Sequence, residues 1–249
     1  DIFTRPLFLL RRCLMPASFI AVCSKVATKK LAETIPNFPK EKIFHIRHGI
    51  PPVFFQQKYS PAKKQIIGVG RLVRKKGFRW LLHACALLKG KNIPFQCAII
   101  GDGPEKSFLT AEIKRLNLES VVLLTGALSQ KDLLAWYTKA EILVVPSIVD
   151  ENGDMDGIPN VIPEAMAVGT PVIASNVGGI PEIVIHERTG IIVPPLNPSA
   201  IAEAIERLFN DGALRYRLTE NAKSFVRMEF DAEKNIKPLA ELFKKHTLH

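Results

Sequence analysis

Asp156 and Glu164 stand with seven residues between them, on either side of the segment Gly157-Ile158-Pro159-Asn160. The apolar stretch from Val161 to Val168 has the composition of a helix that opens just after that segment. Free N–H groups and the positive end of the dipole gather at such an opening. A carboxylate beside these donors accepts hydrogen bonds from vicinal hydroxyls, so the pair suits a sugar or a ribose rather than an apolar ligand. Well upstream, Arg71 and Lys76 lie in Gly70-Arg-Leu-Val-Arg-Lys-Lys-Gly77, directly after an apolar run. Two cations and several backbone N–H groups at a strand's carboxyl end suit a diphosphate. Asp150, Glu151, Asp154 and Asp156 are clustered carboxylates of the kind that hold divalent cations. No further ligand set accompanies them, so we read a mobile acidic loop over the ligand site and no metal.

Strands must deliver these residues to one place. Ile142 to Pro146 and Thr170 to Ser175 read as buried parallel strands. Between them, Asn160 is the expected N-cap, Pro163 falls in the first turn, and Gly169 closes the helix. Gln65 to Gly70, Cys97 to Ile100, Val121 to Thr125 and Gly190 to Val193 are further strands. Helices are expected over Phe78 to Leu88, Lys106 to Leu116, the Ser129-capped run to Ala140, Pro198 to Asn210, and Ala213 to Glu229. A last helix from Asp231 to about Lys245 is expected to be interrupted near Pro238. Upstream, Phe19 to Cys23 and Lys42 to Arg47 read as strands around a Ser24-capped helix, and Pro-rich sequence to Pro61 reads as a linker. This alternation predicts an α/β fold with a doubly wound parallel Rossmann-like sheet, divided as 1–61, 62–230 and 231–249. Ligands of such sheets sit beyond the carboxyl ends of the strands. Gly68-Val-Gly70 fails as a dinucleotide fingerprint, because Val73 occupies its last glycine position.

Glu164-Ala-Met-Ala, Gly169-Thr-Pro and Gly178-Gly-Ile-Pro-Glu182, with Asp156 in the first acidic position, resemble the signature of the retaining nucleotide-sugar glycosyltransferases of family four. Those enzymes have the GT-B fold. Gly70-Arg71-Leu72 followed by Lys76-Gly77 is similar to a second motif of the same family. Asp156 departs from the usual glutamate, and its shorter side chain sits about one methylene further from a donor hydroxyl. The resemblance implies that Arg71 and Lys76 bind the donor diphosphate and Glu164 the ribose. It implies that Asp156, with Gly157, Ile158, Pro159 and Asn160, orients the donor sugar. Gly126 would pass close to the nucleotide base and Gly70 would shape the phosphate loop. It also implies a UDP- or GDP-sugar donor, a glycan or glycolipid acceptor, and no metal or cofactor. On the same ground, 1–61 is the remnant and linker of an acceptor domain, 62–230 the donor domain, and 231–249 a helix crossing back. A complete enzyme of this kind would need a longer acceptor domain upstream.

Charge bears on partners. Residues 1–100 carry 19 Lys and Arg against 3 Asp and Glu, a balance of +16, and residues 101–249 carry 15 against 21, a balance of −6. A basic surface that meets an anion follows, whether nucleotide, anionic lipid or nucleic acid. Residues 1–17, with Phe3, Leu7, Leu10 and Leu14 spaced between Arg5, Arg11 and Arg12, form a candidate amphipathic helix. That segment suits peripheral contact with an anionic membrane at its cytoplasmic face. No apolar run reaches the roughly 18 residues that span a bilayer. The four cysteines have no metal-ligand spacing and read as buried reduced thiols of a cytoplasmic protein. A GT-B sugar-nucleotide epimerase and a basic nucleic-acid-binding module are the competing functions. The second lacks an aromatic stacking cluster or a reader motif, so nucleic acid is not an expected partner.

Overall fold

The computed structural model describes residues 7–35 and 37–247. Strands β1 (Ile20–Val22) and β2 (Ile43–His45) form a small parallel pair. A second sheet contains β3 (Gln65–Val69), β4 (Gln96–Ile100), β5 (Val122–Gly126), β6 (Ile142–Val145), β7 (Val172–Ser175) and β8 (Ile191–Val193). The helices are α1 (Leu7–Leu14), α2 (Lys25–Thr34), α3 (Pro52–Phe55), α4 (Phe78–Gly90), α5 (Lys106–Arg115) and α6 (Gln130–Lys139). They continue with α7 (Val161–Val168), α8 (Pro198–Asn210), α9 (Gly212–Glu229) and α10 (Ala232–Thr247).

The larger sheet is parallel throughout, in the order β5-β4-β3-β6-β7-β8. Its strands are apolar at successive positions because both faces are covered. Ile66, Ile142 and Val144 pack into one core with α4, α5 and α8, while Ile67, Leu143 and Val145 pack into another with α7 and α9. The chain winds outward from β3 to β5 and then returns to the other side of β3 with β6. That reversal opens a crevice between the carboxyl ends of β3 and β6, where ligands of such sheets bind.

Local chemistry sets most helix starts. Ser24 Oγ accepts from the Ala27 N–H at 3.1 Å, Ser129 Oγ from Asp132 at 3.2 Å, Asn197 Oδ1 from Ala200 at 2.9 Å and Asp211 Oδ1 from Leu214 at 2.8 Å. Three expectations need correction. The stretch read as a linker carries α3, whose Phe54 is 1% exposed beside the Tyr137 ring, and Ser60 and Ala62 donate backbone bonds to Thr138 and Lys139. Burial of Ile50 and Phe54 outweighs the proline punctuation around them. Helix α10 runs through Pro238 without a break. It is held on both sides, since Asn235 Nδ2 donates to the His48 carbonyl and Phe243 packs edge-on against Phe19. Of the cysteines, Cys85 and Cys97 are buried, but Cys13 is exposed and Cys23 half-buried. In the amphipathic segment, α1 falls where expected, and Phe3 and Arg5 lie outside the described residues.

A buried carboxylate joins α4 to α5. Glu112 receives Arg115 at 2.6 Å and His83 at 2.7 Å, and Arg79 stands 3.9 Å away. The Arg115 hydrogen bond, chiefly, draws the carboxyl down to about 2; burial opposes this and His83 assists. Its folded value lies below its unfolded one, so Glu112 stabilises the fold above the ordinary glutamate range and loses that effect as pH falls toward about 2. Glu112→Gln is expected to cost about 1–3 kcal/mol at neutral pH and to flatten the acid limb of a urea-denaturation pH series.

Candidate functional site

The loop after β3 and the loop after β6 meet over the crevice. Lys76 Nζ donates to both carboxylate oxygens of Asp156, at 2.9 and 3.0 Å, across 80 residues of sequence. Ser147 Oγ, which follows the end of β6, donates to Asp156 Oδ2 at 2.7 Å. Asp156 is 8% exposed, so this carboxylate depends on its two donors. Close backbone contacts fix the approach. Gly77 has φ +65°, and a Cβ there would lie 2.0 Å from the Pro146 carbonyl oxygen. Gly178, in the turn after β7, has φ +55°, and its Cβ would lie 1.9 Å from the Asp156 oxygen. The next residue, Gly179, donates its N–H to the Gly157 carbonyl at 3.0 Å. Only glycine fits this clamp.

The acidic loop is tied down rather than free. Arg74 makes a two-point contact with Glu151 at 2.8 and 2.9 Å, and Lys75 reaches Asp154 at 2.9 Å. The expected loose cover is therefore ion-paired to the basic loop beneath it. Arg71 is exposed at the rim, and among the described residues its guanidinium has no ion-pair partner. Gly70 lies against the Lys76 stem, and Gly126 ends β5 with open space above it.

Glu164 occupies the first turn of α7, half-buried, with Tyr137 donating to its Oε2 at 2.9 Å. Burial pushes this carboxyl up, and the Tyr137 hydrogen bond partly offsets that. Among the described residues no donor reaches Oε1, which leaves it available to a hydroxyl. Ile158 and Pro159 are buried and Gly157 is exposed, so the side chains of the first two anchor the loop. Only their backbone can face a ligand.

Asn160 holds the N-cap position of α7, as expected, but its side chain does not cap the helix. It has helical dihedrals and no capping bond, and its Oδ1 instead receives His48 Nδ1 at 2.9 Å. The side chain is drawn outward because the chain after β2 passes alongside it. Thus Arg71, Lys76, Asp156, Glu164 and the 157–160 segment all line the carboxyl edge of one sheet, and Lys76 and Asp156 touch.

Three features escaped the sequence reading. Tyr137 gave no signal, since a tyrosine on a helix face is ordinary core. Ser147 was findable as the first hydroxyl after the buried β6 run. Glu182 accepts from the Lys25 and Val26 N–H groups, both at 3.0 Å, so the motif's last carboxylate caps α2 from 157 residues away. That contact locks the small β1–β2 unit against the larger sheet.

The family described as glycosyl transferases group 1 matches residues 51–225. An amylovoran biosynthesis glycosyltransferase of Erwinia amylovora, AmsK, is 35% identical over 210 residues, covering 83% of this chain and 52% of its own length. An alpha-D-kanosaminyltransferase of Streptomyces kanamyceticus is 34% identical over 157 residues, covering 63% and 39%. The chain thus spans about half or less of the relatives it matches. Among solved structures, Anabaena HepE in complex with UDP and glucose has a TM-score of 0.84 at 21% identity, over 96% of this chain and 66% of that one. At that identity the likeness establishes the fold.

Proposed function

The chain belongs to the group 1 glycosyl transferases, and from that premise we propose that its crevice binds a nucleoside-diphosphate sugar whose sugar passes, with retained anomeric configuration, to an acceptor hydroxyl. This is the reaction of the retaining family-four enzymes that the motifs resemble. The observation that carries it is the contact of Lys76 with Asp156 at the β3–β6 switch point, with Arg71 exposed in the same loop as Lys76. As the glycosidic bond breaks, charge grows on the leaving diphosphate, and cations already aimed at it lower the barrier. Arg71 and Lys76 fill that role, with the amides near Gly70. Lys76 turns from Asp156 to the phosphates, and Ser147 keeps a hydrogen bond on the carboxylate while Asp156 accepts from a sugar hydroxyl. Glu164 takes the ribose through Oε1, with Tyr137 fixing its rotamer, and Gly126 lets the base approach backbone. Gly157 and Asn160, anchored by Ile158 and Pro159, offer amides to the donor sugar.

The donor is a UDP- or GDP-sugar, and no metal or cofactor takes part. A relative named for amylovoran biosynthesis supports an envelope polysaccharide or glycolipid acceptor. No described helix is long and apolar enough to cross a membrane. The exposed Arg11 and Arg12 on α1 support a cytoplasmic protein with peripheral contact to anionic lipid.

Isothermal titration with UDP and GDP tests the reading. One of the two is expected to bind saturably, with Arg71→Ala and Glu164→Ala each weakening affinity about tenfold, or 1.4 kcal/mol. Unchanged heats in both variants would overturn it.

A further inference from the structure

A cavity of about 810 Å³ lies beside the crevice rather than in it, between β1, β2 and α10. Its lining is mainly apolar, including Leu14, Val22, Ile236 and Leu239, and it also includes Cys23 and His48. Each sits just past the carboxyl end of its strand, β1 or β2. The Cys23 thiol and the His48 ring line the same wall of this cavity, where the imidazole and the Ile158 backbone bear on the thiol. On its other side His48 Nδ1 donates to Asn160 Oδ1 at 2.9 Å. Cys23 Sγ comes within 4.0 Å of the position a Cβ would take on Gly157. A nucleophile and a base thus stand at the wall of the cavity, with an amide bonded to the base from outside that lining.

We propose that Cys23 is a reactive-thiol site, activated by His48 and oriented through Asn160, which takes soft electrophiles and low-molecular-weight disulfides and thereby disturbs the 157–160 segment.

The environment supports a thiolate facing an imidazolium. The His48 ring draws the Cys23 thiol down against the effect of burial, and Cys23 and the Asn160 hydrogen bond raise His48 to about 9. Other charged groups on the cavity are Arg47, which is paired with Glu229 at 2.7 Å, and Glu233 on α10. With a disulfide, the Cys23 thiolate attacks one sulfur; a new Sγ–S bond forms as the old S–S bond breaks. The other half leaves as a thiolate with the bonding electron pair and takes a proton from His48. The disulfide is the oxidant, so the step balances. The adduct fills the space beside Gly157, and His48 loses the partner that held it between Cys23 and Asn160.

The rate of alkylation by iodoacetamide, measured for each cysteine by peptide mass spectrometry, tests the site without any nucleotide. At about pH 6.5 an ordinary thiol of pKa about 8.5 is only roughly 1% thiolate. Cys23 is expected to react at least about tenfold faster than exposed Cys13 at that pH, and His48→Gln to remove most of the difference. Equal rates for the two cysteines, or a Cys23 rate indifferent to His48→Gln, overturn the proposal. The coupling rests on the donor-site reading. Treatment with oxidised glutathione is expected to weaken UDP binding about tenfold and dithiothreitol to restore it, with Cys23→Ser insensitive. Full UDP affinity after stoichiometric modification of Cys23 overturns the coupling. Failure of the untreated chain to bind either nucleotide counts against the donor site, while the alkylation rates still judge the thiol.

Discussion

Lys76→Ala is expected to lower stability by about 3–5 kcal/mol and to remove measurable UDP binding, because it strands a buried carboxylate and deletes the proposed phosphate ligand together. Two measurements separate these losses. In urea denaturation, adding Asp156→Asn to Lys76→Ala should recover a large part of the stability, since an uncharged amide tolerates the site without its cation. In titration the double variant should remain unable to bind UDP, since nothing replaces the ammonium. Equal stability of the single and double variants would mean that the 2.9 Å contact contributes little to the fold. Recovered binding would mean that Lys76 serves only as a partner for Asp156.

Gly178→Ala is the second large effect. At φ +55° an alanine already costs about 1–2 kcal/mol, and its Cβ would fall 1.9 Å from the Asp156 carbonyl oxygen, which belongs to backbone and cannot swing away. A total loss of about 2–4 kcal/mol is expected, with UDP affinity reduced at least about tenfold as the Asp156–Gly157 segment shifts. Gly126→Ala is the control: its φ is also positive, at +77°, yet nothing lies within 4 Å of the added methyl. It should cost only the conformational penalty of about 1–2 kcal/mol. Thermal melts of the two variants side by side make the comparison, and similar losses would remove the clamp from the explanation.

The fold was largely readable because its elements are announced locally. Continuous β-branched apolar runs such as Ile142 to Val145 are too short for helices and fit strands covered on both faces, and Ser24, Ser129 and Gly169 mark helix ends within a few residues of what they cap. Misreadings arose where tertiary contact overrode a local signal. Asn160 has the right residue type for a cap but is occupied by His48, 112 residues away. Pro238 has the right chemistry to break a helix, yet contacts at Asn235 and Phe243 hold both halves in line. Residues 52–61 look like a linker until Phe54 finds Tyr137. The site's residues were legible as two charged motifs at strand ends, but their pairing was not. That Lys76 would seat on Asp156, that Ser147 would join them, and that Tyr137 would hold Glu164 depend on strand order, which spacing along the chain does not encode. The Cys23–His48 contact is of the same kind, requiring β1 and β2 to lie side by side and α7 to approach them.

The central claim is that the loops after β3 and β6 form one nucleotide-diphosphate site. Amide chemical-shift perturbation of the isotopically labelled chain, titrated with UDP and with GDP, addresses it most directly. The expected result is saturable shifts confined to Gly70 through Gly77, Gly126, and Gly157 through Glu164, for at least one of the two nucleotides. Shifts concentrated on the cavity between β1, β2 and α10, or separate sets of shifts for the basic and acidic loops with different affinities, would contradict it.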